Sequence, residues 1–311
     1  MQRTNRPASQ KALYSLRNIF HVRGSAVRRE PRGMHRLELV GDEWDIGSFV
    51  RSVFELRSLD PGVKKVTLMY RGTSTVMVRA GGTGGFVAET AKVGRDARIE
   101  PSAVVLDSAV VGKGSKLGYM AEVGNGSVLG EGVKLYPYVK VGNGCRIGND
   151  CSIFHSATLA DGVDIWGRTS ISLSSTIGGN TSIGERCKIG AMVIIGDSVR
   201  IGSGCRLGNS VRIEEGAAIG SDVYVDNSSV IGASRISDGC RIGLGCRIGG
   251  NVVVGKGTSI GEECSIAFEA RQAGAQLQTV IGAKASIGSF STVSAGARIP
   301  DRVSIADRSA L

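Results

Sequence analysis

The stretch Val141-Gly-Asn-Gly-Cys-Arg-Ile147-Gly-Asn-Asp-Cys-Ser-Ile153 shows the spacing rule that decides the fold of this 311-residue chain. An aliphatic residue stands at every sixth position, without exception from Val93 to Ile231. The same step resumes over 236–266 and again over 281–305, which gives 35 hexads in all. A period of six fits neither the 3.6-residue period of an α-helix nor the alternation of a long strand. It predicts short strands joined by turns and stacked into a solenoid.

The hexads predict one buried aliphatic side chain per strand, in a core that only stacking can close. The next residue is glycine in 21 of the 35 hexads, and we expect these glycines to supply unusual torsions at the corners. Each of the seven cysteines precedes an aliphatic position by two residues. Residues two apart on a strand share a face, so each cysteine should point inward with the aliphatic residue that follows it. The cysteines are therefore expected to be small, reduced core residues rather than zinc ligands. They are Cys145, Cys151, Cys187, Cys205, Cys240, Cys246 and Cys264.

This repeat resembles the left-handed β-helix of the hexapeptide-repeat acyltransferase superfamily, over about two thirds of the chain. The resemblance implies an all-β solenoid in which three hexads make one triangular coil, so that residues 18 apart stack. It also implies a homotrimer with active sites that span two subunits.

Three segments are expected along the chain. Residues 1–34 are predicted to be a disordered basic tail, with a transit peptide or a gene model that begins too early as alternatives. Residues 35–85 read as a small α/β cap that ends in a glycine-rich joint. The cap would contain a strand at 36–40, a helix at 45–56 and a hairpin around Arg71. Residues 86–311 would form the left-handed β-helix, with a loop excursion at 267–280.

The net charge of +10 does not predict a nucleic-acid partner. Residues 1–34 alone carry eight Lys and Arg against one Glu, and the repeat body shows no interleaved basic and aromatic stripe. The sequence has no run of 18 apolar residues, so no transmembrane helix is expected. Reduced cysteines are typical of a cytoplasmic protein.

Aromatic residues directly follow the aliphatic position at Tyr136, Phe154 and Trp166, where most hexads have glycine or a small residue. Because Tyr136 and Phe154 are 18 apart, we expect them to stack on one corner. The tripeptide Tyr136-Pro137-Tyr138 would then lie over Phe154-His155-Ser156. The histidine of the hexad region thus falls in an aromatic patch.

The segment 135–158 also resembles the middle of UDP-3-O-acylglucosamine N-acyltransferases, which often read LYPxVxIGxxxxIGxxxxIHSG. Acyltransferases of this fold use a histidine base, which removes a proton from an amine or hydroxyl as it attacks a thioester. We therefore expect His155 to be the catalytic residue; the alternative is a corner residue that only faces solvent or a subunit interface. The expected substrate-binding residues are Tyr136, Tyr138, Phe154, Trp166 and Arg168, the last two on the next coil edge.

One motif departs from that family. Its catalytic histidine lies further on, in a motif like CxIAHN, whereas the similar stretch here is Cys264-Ser-Ile-Ala-Phe268-Glu269. Phenylalanine therefore stands at the histidine position. Glu269 could be a substitute base if burial raised its pKa.

The restart Val280-Ile-Gly-Ala-Lys-Ala-Ser-Ile-Gly288 resembles the acetyltransferase arm of archaeal-type sugar-1-phosphate nucleotidylyltransferases. That resemblance implies an acyl donor lying along the C-terminal coils. Arg271 and Lys284 would then meet the phosphates of acyl-CoA.

Together these patterns predict acyl transfer from acyl-CoA or acyl-carrier protein to the amino group of a sugar or nucleotide sugar, with no metal and no bound cofactor. The alternative is a non-catalytic scaffold that trimerises or binds partners. A γ-type carbonic anhydrase is excluded, because its metal site needs three histidines and the hexad region has one.

Overall fold

The chain forms a left-handed parallel β-helix: the hexads predict the solenoid, and the resemblance implies its hand. The computed structural model describes residues 25–30, 34–39, 65–70, 73–79, 84–268 and 277–311. Each coil contributes one short strand to each of three sheets, named A, B and C here, and the sheets of 12 strands fix the rod at 12 coils. Within the described residues there is no helix, and hence none long and apolar enough to cross a membrane.

The strands of the rod are mostly two residues long. Sheet A contains Phe86–Ala88, Val104–Val105, Glu122–Val123, Lys140–Val141, Thr158–Leu159, Thr176–Ile177, Ile194–Ile195, Arg212–Ile213, Val230–Ile231, Arg247–Ile248, Ser265–Ile266 and Thr292–Val293. Sheet B contains Lys92–Val93, Val110–Val111, Val128–Leu129, Arg146–Ile147, Asp164–Ile165, Ser182–Ile183, Arg200–Ile201, Ala218–Ile219, Arg235–Ile236, Val252–Val254, Thr279–Ile281 and Arg298–Ile299. Sheet C contains Arg98–Ile99, Lys116–Leu117, Lys134–Leu135, Ser152–Ile153, Ser170–Ile171, Lys188–Ile189, Arg206–Leu207, Tyr224–Val225, Arg241–Ile242, Ser259–Ile260, Ser286–Ile287 and Ser304–Ile305.

The register confirms that residues 18 apart stack, as in the parallel pairs Leu117 to Leu135 and Leu135 to Ile153. One coil is a residue shorter, because Ile219 pairs with Ile236. Another is longer by nine residues, because Ile260 pairs with Ile287 across the 267–280 loop. Both exceptions fall where the hexad spacing breaks, and the stack continues beyond them.

The aliphatic positions form one continuous core along the rod. The exceptions are the two ends of the rod: Val93 is 41% exposed and Ile305 is only partly buried. Their strands are the terminal strands of sheets B and C, so no further coil covers them. The predicted inward face is therefore correct where a neighbouring coil exists on both sides.

The glycine after the aliphatic does not have the unusual torsions expected for it. Left-handed φ values fall two residues later, as at Tyr138 (φ 62°) and Gly126 (φ 64°). A Cβ on Gly184 would instead come within 2.6 Å of the backbone nitrogen of Ser203 in the next coil. The expectation of special torsions is therefore wrong: glycine here allows adjacent coils to approach each other closely.

The cysteines are all buried, as predicted, and they also hydrogen-bond. Each thiol donates to a carbonyl of the following coil, as from Cys151 to Trp166 at 3.2 Å, and Ser115 donates likewise to Gly130 at 2.9 Å. Burial raises the pKa of the Cys145 and Cys151 thiols. The Cys145 and Cys151 side chains are therefore neutral donors of the core.

The strands that precede the rod continue sheet A. They are β1 (Ser25–Glu30), β2 (Met34–Leu39), β3 (Lys65–Tyr70) and β4 (Thr73–Arg79). The strand predicted near 36–40 and the hairpin around Arg71 are both present, as β2 and as the antiparallel pair β3 and β4. β1 lies within the segment expected to be a tail and pairs with β2. The helix expected at 45–56 lies outside the described residues.

Candidate functional site: an aromatic edge of the rod

The turns that connect sheet C to sheet A form one edge of the prism, and four successive turns of it carry exposed or half-buried aromatic and apolar side chains. We call this segment the aromatic edge. It consists of residues 118–121, 136–139, 154–157 and 172–175.

Two ring pairs define its geometry. The rings of Tyr136 and Phe154 are stacked, with centroids 4.5 Å apart and an interplanar angle of 12°. Tyr119 and Tyr138 meet edge to face at 5.7 Å and 80°. The Tyr136 amide donates to the Ile153 carbonyl at 2.9 Å, which fixes the alignment of the two turns. The predicted stack of Tyr136 on Phe154 is confirmed.

His155 is an exposed residue whose ring lies 5.4 Å from that of Tyr136, tilted by 46°. Its backbone is held by the neighbouring coils: the Ser174 amide donates to the His155 carbonyl at 2.9 Å, and the preceding Phe154 amide donates to Ile171 at 2.8 Å. The imidazole is thus carried by a rigid turn, with one ring of the stack beside it and solvent on its other side.

The backbone N–H of His155 is a second functional group, which sequence reasoning missed. At the same turn position on several other coils, though not on all, a side-chain oxygen one coil further on accepts this N–H, as Asn143 Oδ1 does from Asn125 at 2.8 Å. The residue one coil beyond His155 is Leu173, which has no acceptor. Within the described structure the His155 N–H has no hydrogen-bond partner. The sequence signal was the absence of Asn, Asp or Ser at position 173.

Trp166 and Arg168 lie on another edge, between sheets B and C. Trp166 is 55% exposed, and Arg168 is exposed with φ 60°. Sheet C separates them from His155, with the small outward residues Ser152 and Ser170 between. One chain therefore brings together Tyr136, Tyr138, Phe154 and His155, but not these two.

The expected donor-binding residues do not join this group within one chain. Lys284 is exposed and lies seven strand spacings along sheet C from His155, or about 34 Å. Phe268, at the position of the family histidine, lies under the Arg247 guanidinium at 5.7 Å from the ring centroid. Arg271 and Glu269 lie outside the described residues.

Two family models match parts of the chain. The model described as bacterial transferase hexapeptide (six repeats) matches residues 126–161, which include the stacked rings and His155. The model described as GMPPB C-terminal domain matches residues 171–269. Curated proteins gave no significant match to the chain.

Three UDP-N-acetylglucosamine acyltransferases are among the solved structures that match the chain. The one from Moraxella catarrhalis is 19% identical with a TM-score of 0.31, and the match covers 56% of this chain and 68% of that one. The one from Francisella novicida is 21% identical with a TM-score of 0.30, covering 63% and 64%. The one from Arabidopsis is 19% identical with a TM-score of 0.28, covering 71% and 69%. The chain thus spans about two thirds of the length of these proteins.

The period of six, the stack of 12 coils and the hexapeptide match at 126–161 agree with one another. The rod of this chain is therefore a left-handed β-helix, of which residues 126–161 match the bacterial transferase hexapeptide model.

Proposed function

We propose that this protein transfers an acyl group from a thioester to a nucleotide-linked sugar at the aromatic edge. The observation that carries the proposal is that His155 combines an exposed imidazole beside the Tyr136 ring with an unpartnered backbone N–H. The match of this segment to a transferase repeat model supports group transfer. The match at 171–269 fits the resemblance to sugar-nucleotide enzymes.

His155 would act as a general base. Neutral imidazole takes the proton from the attacking nitrogen or oxygen while that atom bonds to the thioester carbonyl carbon. A free N–H that points at the developing oxyanion stabilises it. The carbon–sulfur bond then breaks, and imidazolium returns its proton to the leaving thiolate. The sum is acyl acceptor plus thioester giving acylated acceptor plus free thiol.

The acceptor atom we favour is a sugar amine, because the segment 135–158 resembles N-acyltransferases. The donor is acyl-CoA or acyl-carrier protein. Seven buried, reduced thiols suit a reducing compartment such as the cytoplasm.

An assembly of identical subunits would complete the site. Beyond His155 the same edge continues with Leu173 and Met192, which are 49% and 55% exposed, and Ile194 on sheet A is 44% exposed. Contiguous exposed apolar side chains favour contact with another protein surface. We propose that this surface is the homotrimer contact, which would place a neighbour's Trp166 and Arg168 near His155.

The test is an acyl-transfer assay on the full chain, with acetyl-CoA and acyl-carrier protein thioesters as donors and UDP-N-acetylglucosamine or a UDP-amino-sugar as acceptor. His155→Ala should reduce kcat by about 100-fold or more. Leu244→Ala is the matched control, since Leu244 holds the same turn position further along this edge and is 37% exposed. Equal turnover by both variants would remove His155 from the mechanism.

Product chemistry decides between the acceptor atoms. An amide product resists neutral hydroxylamine, whereas an ester is cleaved. An ester would overturn the amine assignment and leave the acyl transfer in place. No turnover by the wild-type protein with any of these pairs would favour the scaffold alternative.

A further inference from the structure

A shallow cleft, open to solvent, lies beside Trp166, on a different edge from His155. Its walls are the Trp166 indole, the outward side chains Arg146 and Asp164 of sheet B, Val128 and Glu185. Its floor contains the backbone of three glycines, Gly130, Gly148 and Gly167.

Trp166 is isolated on this edge. It stands at the turn position that is glycine in the coils on either side, at Gly148 and Gly184. Tyr136 and Phe154 cover each other, but no side chain occupies the equivalent place above or below the indole. The indole is 55% exposed as a result, so a ligand can reach it.

The indole is also held in place. The Trp166 amide donates to the Ile183 carbonyl at 2.9 Å, and the Cys151 thiol donates to the Trp166 carbonyl at 3.2 Å. A side chain on such a fixed backbone needs little ordering when it binds a ligand.

The charged side chains around the cleft have no ion-pair or side-chain hydrogen-bond partner among the described residues. Arg146 and Asp164 are direct neighbours on adjacent strands, yet in the described part of the chain neither forms an ion pair. The Glu185 side chain likewise has no hydrogen bond there, although its backbone groups are bonded to Ser203 and Gly204. Two carboxylates and a guanidinium therefore remain free to bind hydroxyl groups.

We infer that this cleft binds a sugar ring. The apolar face of a pyranose would lie on the indole, and its hydroxyls would donate to Asp164 and Glu185 and accept from Arg146. The glycine floor leaves room for the ring. The inference rests on the proposed function, in which a neighbour's Trp166 lies near His155, and it assigns the sugar-binding part of that site. Binding needs no acyl donor, so it is measured separately from acyl transfer.

The experiment measures binding of N-acetylglucosamine and of methyl α-D-glucopyranoside to the full chain, by saturation-transfer NMR and calorimetry. We expect saturable binding of at least one of them in the millimolar range. Trp166→Ala should weaken it by about tenfold or more, and Asp164→Asn should weaken it less. Trp166→Phe should bind better than Trp166→Ala, which separates loss of stacking from loss of fold.

One control makes the outcome decisive. Tyr224→Ala removes another exposed aromatic, 42% exposed on sheet C, and should bind as the wild type does. Absence of saturable binding, or equal binding by Trp166→Ala, would overturn the inference. Binding of choline in preference to both sugars would reassign the cleft to a cation, which indole and carboxylates also recognise.

Discussion

The edge between sheets A and B and the aromatic edge are built from the same hexad. They differ in whether a side chain of the next coil accepts the backbone N–H of the turn. On the A–B edge, Asn125, Asn143 and Asp161 follow one another, and each side-chain oxygen accepts the backbone N–H of the preceding coil, at 3.1, 2.8 and 2.7 Å. On the aromatic edge the equivalent positions are Tyr119, Pro137, His155 and Leu173. None of these side chains accepts the backbone N–H of the preceding coil.

This difference distinguishes turn residues that stabilise the repeat from turn residues that are available for function. Amide and carboxylate side chains at the turn are structural, because they complete hydrogen bonds that the backbone cannot complete alone. The aromatic edge gives up those bonds over several coils and exposes rings and an imidazole instead. Loss of a regular stabilising interaction is a sign of a site that serves function.

The largest effect is expected when the His155 N–H is given the kind of side-chain acceptor that the A–B edge has. Leu173→Asn would supply an acceptor to the His155 N–H, as Asn143 does to Asn125. If this donor stabilises the oxyanion, kcat should fall by about 100-fold. Leu173→Ala, which removes the leucine without adding an acceptor, should keep most of the activity.

Amide hydrogen exchange at His155 reports whether the new bond forms in Leu173→Asn, and size-exclusion chromatography reports whether assembly is unchanged. Slower exchange with unaltered kcat and assembly would show that the N–H plays no part in catalysis.

Glycine substitutions on the A–B edge test the close approach of coils. A Cβ on Gly124 would overlap the carbonyl oxygen of Gly142, whereas a Cβ on Gly126 would meet nothing within 4 Å. We expect Gly124→Ala to lower the free energy of unfolding by about 1–3 kcal/mol. Gly126→Ala should cost about 1 kcal/mol, because it only places alanine in the left-handed region.

Chemical denaturation with fluorescence or circular dichroism measures both variants. If Gly124→Ala were no worse than Gly126→Ala, the turn would not need glycine for the approach of its neighbour. Aromatic residues at that position, as at Tyr136, would then carry no special meaning.

Removing one of the side chains that accept a backbone N–H on the A–B edge should lower stability moderately and leave activity unchanged. Asn143→Ala leaves the Asn125 N–H without its acceptor, at an expected cost of about 1 kcal/mol in unfolding free energy. Acyl transfer should be unaffected, since this edge carries none of the proposed site. A marked fall in kcat in a fully folded variant would refute the division between the two edges.

The smallest expected effect is loss of one ring of the stack. Tyr136→Leu removes the contact with Phe154 and should lower stability by about 0.5 kcal/mol. It should also raise KM for the sugar substrate, because the ring lies beside His155. Kinetics at saturating and limiting substrate separate KM from kcat, and an unchanged KM would place the substrate away from this ring.

The hexad spacing predicted much of the rod, since each aliphatic residue is a local mark of one inward side chain. It located both irregular coils and the stacked pair Tyr136 and Phe154, because residues 18 apart become neighbours once the coil length is known. It misjudged the glycines, because their role depends on the distance to the next coil and not on their own torsions.

The sequence by itself determined the solenoid, its register and the inward cysteines, since these follow from a period that every hexad repeats. Only the tertiary structure decided which polar groups are left without partners. The free N–H of His155 depends on the residue one coil away, and the cleft at Trp166 depends on side chains from four different coils. Hydrogen-bond partners and open space are properties of how coils stack, which a spacing pattern alone does not contain.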